Sequence, residues 1–183
     1  MTTPEPKPAL RARMRAARDC FAQETGGTIP VPDLFRERLL PGLVVASYRP
    51  VGGEADPAPL ERAAREAGGR IALPHVIGRA EPIRFLAIDD ATPLVAGPFG
   101  LSNPPAHAPK VAPDIVLVPL VAFDAGGHRL GQGAGHYDRA LAGLPRAWRL
   151  GVAWSVQQVE ALAADPWDVP LHAIVTERGL VLP

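Results

Sequence analysis

The sequence predicts an α/β fold, a single-domain three-layer sandwich over residues 1–183 with a mostly parallel central sheet and helices on both faces. Three observations carry this. Short apolar runs alternate with segments of helical period along the chain. The run from Ile115 to Phe123 is apolar on consecutive positions, as in a strand buried on both faces. A glycine-rich stretch follows it, and sheets of this kind bind ligands beyond the carboxyl ends of their strands.

The elements follow in order. Pro8 to Phe21 reads as a helix. Leu10, Met14, Ala17 and Phe21 fall on one face, and Lys7, Arg11, Arg15 and Arg18 lie within about 80° on the adjoining one. Val31 to Leu40 is a short helix stopped by Pro41-Gly42, and Leu43 to Tyr48 a strand followed by a loop with Gly52, Gly53 and Glu54. Pro57 to Ala67 is a helix with proline in its first turn and Gly68-Gly69 beyond its end. Arg70 to Leu73 and Ile83 to Ile88 are short strands, and residues 91–113, rich in Pro and Gly, a long surface loop. After the glycine loop come a helix from His136 to Ala142, a strand from Arg149 to Trp154, a helix from Val156 to Ala163 and a last buried strand, His172 to Thr176.

Composition narrows the function. With 183 residues the chain can bury about 70% of the surface it would expose unfolded. Nineteen basic and 19 acidic side chains cancel, which argues against nucleic acid as a partner. The longest apolar run is too short to span a bilayer, and no apolar run follows the basic N-terminal segment, so neither a membrane span nor a secretory signal is expected. The single cysteine, Cys20, excludes an internal disulfide and a cysteine-built zinc site and fits a reducing, cytoplasmic setting. It reads as a packed or half-exposed thiol. No obligate protein partner is expected.

Most of the chemistry lies between Asp124 and Arg139. Five glycines within ten residues let backbone N–H groups approach a ligand, and the loop leads into a helix N-terminus, an arrangement suited to phosphate. The same glycines would equally serve a plain strand-to-helix connection. His136 stands where a dinucleotide fingerprint needs its third glycine, and no Gly-Lys-Ser/Thr follows as in a Walker A loop. Asp138 lies in the first turn of the helix, where the dipole stabilises a carboxylate and where it could also hold Mg²⁺ against bound phosphates. Asp168, before the last buried strand, is either a turn residue or the second carboxylate.

These residues resemble the 5-formyltetrahydrofolate cyclo-ligase family, also called methenyltetrahydrofolate synthetases. The likeness runs nearly end to end: Lys7-x-x-Leu10-Arg11 with Arg18, Tyr48 through Glu54, Arg70-Ile71-Ala72-Leu73-Pro74, Val118-Pro119 with Ala122-Phe123-Asp124, Arg129 through Arg139, Asp168-Val169-Pro170 and Thr176-Glu177. The resemblance implies an ATP- and Mg²⁺-dependent conversion of 5-formyltetrahydrofolate to 5,10-methenyltetrahydrofolate with release of ADP and phosphate. By the same resemblance Lys7, Pro8, Ala9, Leu10 and Arg11 contact ATP, as do Arg129, Leu130, Gly131, Gln132, Gly133, Ala134, Gly135, His136 and Tyr137. Glu54 contacts the folate together with residues Gln132 to His136. Asp138 and Asp168 hold the metal, and Arg129 and Asp138 are the catalytic pair.

Several positions depart from the family pattern. Gln132, Ala134 and His136 stand where many members have an aromatic or Arg, a Lys or Gly, and a Tyr. Arg49 replaces an apolar residue, and Asn103 stands where Glu is frequent. Arg129 and Lys110 are the candidates to replace the missing loop cation. Tyr48, Phe99, Trp148 and Trp154 are candidates to face the pterin, with core packing the alternative for each, and His128 and His172 read as structural. Two other functions fit the residues: a sugar-phosphate isomerase on a related scaffold, and a non-catalytic folate- or nucleotide-binding homologue.

Overall fold

The computed structural model describes residues 5–183. Its centre is a seven-stranded sheet in the order β11-β10-β9-β6-β1-β2-β3. The strands are β1 (Val44–Ala46), β2 (Arg70–His75), β3 (Arg84–Ile88), β6 (Ile115–Pro119), β9 (Trp148–Val152), β10 (Ala173–Thr176) and β11 (Gly179–Val181). The inner five run parallel, and β3 and β11 pair antiparallel at the two edges. The chain enters at β1, builds outward to β2 and β3, then returns to β6 on the other side. The direction of winding therefore reverses between β1 and β6, which is where such sheets place a ligand.

Side-chain alternation divides the core into two layers. Val45, Ile71, Ile115, Leu117, Leu150 and Val175 face one side, against Phe35 of α2 (Asp33–Arg36) and Leu60, Ala63 and Ala64 of α3 (Ala58–Glu66). Val44, Ala46, Ala72, Val116, Val118 and Ile174 face the other, against Leu141 of α4 (His136–Ala142). Helices thus cover both faces, as three layers require. The N-terminal helix α1 (Lys7–Glu24) buries Leu10 and Met14 against Val121, Ala122 and Leu130, and Phe21 packs on Trp154.

Five sequence expectations need correction. The run from Ile115 to Phe123 is two strands, because Pro119 has no N–H for the ladder; Ala122–Phe123 (β7) pairs instead with Arg129–Leu130 (β8) in a hairpin. The helix expected over Val156 to Ala163 is a single 3₁₀ turn, Ser155–Gln157. The N–H of Val159, which a helix would aim at residue 155, goes to the Phe123 carbonyl, and Gln157 is buried donating to the Leu120 and Val121 carbonyls. The stretch 91–113 holds a two-stranded ribbon, β4 (Val95–Ala96) and β5 (Ser102–Asn103), tied to the main sheet by Asn103, whose amide bonds both the N–H and the C=O of Val76. The helix expected from Val31 to Leu40 spans only Asp33–Arg36. His172–Thr176 is not the last strand, since β11 follows it.

Candidate active site

A cavity of about 500 Å³ opens over the carboxyl ends of β1, β2 and β6. Tyr48, Pro74 and Pro119 form its floor at the strand ends, and residues Gly131 to Asp138 form one wall. Backbone geometry explains why the wall is glycine-rich. Gly135 precedes α4 at φ +65°, a conformation that other residues adopt at a cost.

Helix α1 closes the site from the other side. The Arg11 Nε donates to the Gly131 carbonyl at 2.9 Å, and its guanidinium lies over Gly133. Arg15 donates to the Gln132 side-chain oxygen at 2.9 Å and to its carbonyl at 3.3 Å. The helix can come this close because Gly53 carries no side chain: a Cβ there would stand 2.6 Å from Asp19 Oδ1. Arg11 and Arg15 of the basic face read from the sequence are thus turned onto the glycine loop.

Glu54 enters the same cavity. Its carboxylate accepts the Val51 N–H at 3.0 Å and the Gln132 amide at 3.3 Å, and lies 3.7 Å from the Arg18 guanidinium. Burial lifts the Glu54 carboxyl above its ordinary range, while Val51, Arg18 and Gln132 oppose the rise. Across the cavity, burial pushes the Tyr137 phenol well up, so it faces a ligand as a neutral hydroxyl.

Arg129 is a buried charge of the site, its side chain 4% exposed. It donates to the Val169 carbonyl and to the Asp138 carboxylate, and burial lowers its pKa while Asp138 and Asp168 pull it back up. Asp168 accepts the Asp165 N–H at 2.8 Å and lies 3.8 Å from Lys7 Nζ, which is itself bonded to Asp165 at 2.5 Å. The residues expected at the metal therefore flank Arg129, one lining the cavity and one outside it beside the start of α1. Among the described residues no three metal-ligating side chains of the His, Cys, Asp and Glu type come together.

Of the remaining expected contacts, His136 lines the cavity and bonds the Gly78 carbonyl at 3.0 Å. Leu10 and Leu130 are buried in one apolar cluster, so only their backbone is offered to a ligand, and Pro8 and Ala9 lie exposed on the first turn of α1. Of the four aromatic candidates, Tyr48 and Phe99 reach the cavity; Trp154 is buried, bonding the Gly53 carbonyl at 2.8 Å, and Trp148 packs with Phe35 under Arg38. Lys110 bridges to Leu86 of β3 away from the cavity, which removes it as a substitute loop cation. Arg15 instead brings its charge to the loop at Gln132. Its place there depends on the docking of a helix 117 residues distant, which local sequence does not reveal.

The class defined by this fold is an α/β protein with a cavity at the switch point of its sheet, lined on one side by the glycine loop. A model of the 5-formyltetrahydrofolate cyclo-ligase family matches residues 4–177. The chain belongs to that family, whose members use ATP, and so is a ligase of folate one-carbon metabolism. It is 33% identical over 175 residues to the 5-formyltetrahydrofolate cyclo-ligase of Escherichia coli K12, covering 91% of this chain and 96% of that one. With the Mycolicibacterium smegmatis cyclo-ligase the identity is 35% over 153 residues, covering 76% and 77%. The solution structure of Aquifex aeolicus 5,10-methenyltetrahydrofolate synthetase matches with a TM-score of 0.68 at 29% identity, over 96% of this chain and 92% of that one. None of the described helices is long and apolar enough to cross a membrane.

Proposed function

We propose that this cyclo-ligase transfers the γ-phosphoryl group of ATP to the formyl oxygen of 5-formyltetrahydrofolate and closes the ring with N10. The formyl group on N5 is an amide-like carbon with no leaving group. Once its oxygen carries the phosphoryl group, N10 displaces phosphate and 5,10-methenyltetrahydrofolate forms, with ADP and phosphate released. Such a transfer asks the protein for positioning and charge neutralisation and needs no protein nucleophile. The observation that carries this reading is the glycine loop, backed by Arg11 and Arg15 of α1 and bonded through Gln132 to Glu54 in one cavity.

Each side chain then has a part. The loop N–H groups with Lys7 and Arg11 hold the ATP phosphates, and Arg129 stabilises the charge that develops on the transferring group. Glu54 accepts hydrogen bonds from the pterin edge, with Tyr48 and Phe99 against its ring. The donor set suits Mg²⁺: among the described residues, Asp138 and Asp168 each have one oxygen not committed to a protein partner. Mg²⁺ is usually held by one or two carboxylates together with phosphate oxygens, so two carboxylates would suffice. When bound there, Mg²⁺ would neutralise phosphate charge. The reading includes a cytoplasmic location, where ATP is at hand and the Cys20 thiol stays reduced.

Mixing the protein with 5-formyltetrahydrofolate, ATP and Mg²⁺ and following methenyl absorbance tests it. Absorbance that grows only with ATP present is expected. No growth would return the chain to a binding role, and phosphate-dependent isomerisation of a sugar without ATP would favour the isomerase.

A further inference from the structure

Arg18 is a charged side chain withdrawn from water, with 5% of its surface exposed. A guanidinium carries five N–H donors and is expensive to enclose without acceptors. Its Nε and Nη2 both reach Asp19 Oδ1 at 2.9 Å. Nη1 is enclosed and has no hydrogen-bond partner among the described residues. The anion it faces is Glu54, whose Oε1 lies 3.7 Å away, close enough for an ion pair and too far for a hydrogen bond. Both residues line the cavity, and the Glu54 side chain is itself only 10% exposed.

The two charges belong to segments far apart in sequence and meet in the cavity wall. Asp19 engages Nε and Nη2 of Arg18, and Glu54 Oε1 is the counter-charge facing Nη1. Val51 and Gln132 use part of the acceptor capacity of the carboxylate, which has about four lone-pair sites, and leave the rest for a ligand. We propose that Arg18 is a positioning residue of the folate site: its guanidinium fixes Glu54 in the cavity wall as an anionic acceptor for the adjacent N–H donors of the pterin edge. This rests on the assignment of Glu54 to the folate. Arg18 touches neither ATP nor the reacting atoms and acts through Glu54 alone.

Steady-state kinetics on the full chain test it, with ATP and 5-formyltetrahydrofolate varied in turn and thermal midpoints recorded for each variant. Arg18→Met should raise the KM for folate by about tenfold or more while the KM for ATP stays within about twofold. Arg18→Gln, which keeps a donor for Asp19 and removes the charge, should follow Arg18→Met and serves in its place if the Met variant does not fold. Arg18→Lys should recover most of the loss. In a Glu54→Gln background the same substitutions should add less than about twofold, because the partner through which Arg18 acts is already neutral. Equal rises in both KM values, or full additivity with Glu54→Gln, would reduce Arg18 to a packing residue. Wild-type protein that does not convert 5-formyltetrahydrofolate at all would overturn the functional reading and this role with it. Normal wild-type turnover with an unchanged folate KM in both neutral variants would overturn the role of Arg18 alone.

Discussion

Asp138 meets two demands with one carboxylate. It lies in the first turn of α4, where partial positive charge favours an anion, and it balances Arg129, whose side chain is 4% exposed. Asparagine keeps the shape and an acceptor for Arg129 but removes the charge. Asp138→Asn should therefore stay folded and lose turnover by at least about 100-fold, or roughly 2.7 kcal/mol of barrier. Wild-type kcat with an unaltered magnesium dependence in that variant would remove Asp138 from the reaction. Cys20 is the opposite case. Its thiol is exposed on α1, where the sequence reads as a packed or half-exposed thiol, and the Glu24 carboxylate raises the thiol pKa. A thiol so placed has little thiolate to offer as a nucleophile. Cys20→Ser should leave the rate within about tenfold of wild type, or 1.4 kcal/mol; a larger loss without unfolding would mean that the chemistry uses sulfur.

The hairpin of β7 and β8, whose Arg129 lines the cavity, leads directly into the glycine loop. Asp124, 4% exposed, closes the turn: its carboxylate accepts the N–H groups of Gly126 and His128 at 3.0 Å and of Leu162 at 2.9 Å, and bonds the His128 ring. Burial acts to raise its pKa, but these donors outweigh it and hold the carboxyl below its ordinary value. A carboxyl lower in the folded than in the unfolded chain stabilises above the unfolded pKa, near 3.9, and loses that contribution as pH falls through the folded value. Asp124→Asn should thus cost about 1–3 kcal/mol at pH 7 and distinctly less near pH 3, read from thermal unfolding of both proteins. A constant deficit at both pH values would show that shape and not charge matters there. The same region shows what local sequence conveys about an element. The period of Val156 to Ala163 is helical, yet the backbone N–H of Val159 finds a better acceptor in Phe123, 36 positions earlier in the chain. Consecutive apolar residues from Ile115 to Phe123 announce burial correctly, while the break after Pro119 is legible only from the missing N–H. Alternating periods sufficed for the parallel strands and for α1, α3 and α4, whose apolar faces are dictated by their own residues.

At the scale of the molecule the site is assembled from both ends of the chain. The glycine loop is readable as a local pattern, and Glu54 is singled out through the family resemblance. The roles of Arg15 and Arg18 are not readable, since they arise only when α1 docks across the carboxyl ends of the sheet, with Gly53 admitting Asp19 and Met14 filling the apolar contact beneath. This docking brings Lys7 to Asp165 and Asp168, which lie 158 and 161 positions on, and Arg11 to Gly131, 120 positions on. A basic stripe merely facing solvent would have no reason to meet these partners. Lys7 and Arg11 stand one turn apart, so both can reach one anion, and Lys7 is paired with the Asp165 carboxylate. Replacing both with Ala should weaken ATP binding by roughly 2–4 kcal/mol, given about 1.5–3 kcal/mol for each charge-assisted bond and modest coupling between them. Folate binding without nucleotide should change far less, because Glu54 is held by Arg18 and Val51, not by the first turn of α1. Calorimetric titration of each ligand into the double variant separates the outcomes. A loss confined to ATP makes the helix a phosphate clamp. Equal losses for both ligands would mean that Lys7 and Arg11 serve only to dock α1, and unchanged ATP affinity would leave Lys7 as the partner of Asp165 and nothing more.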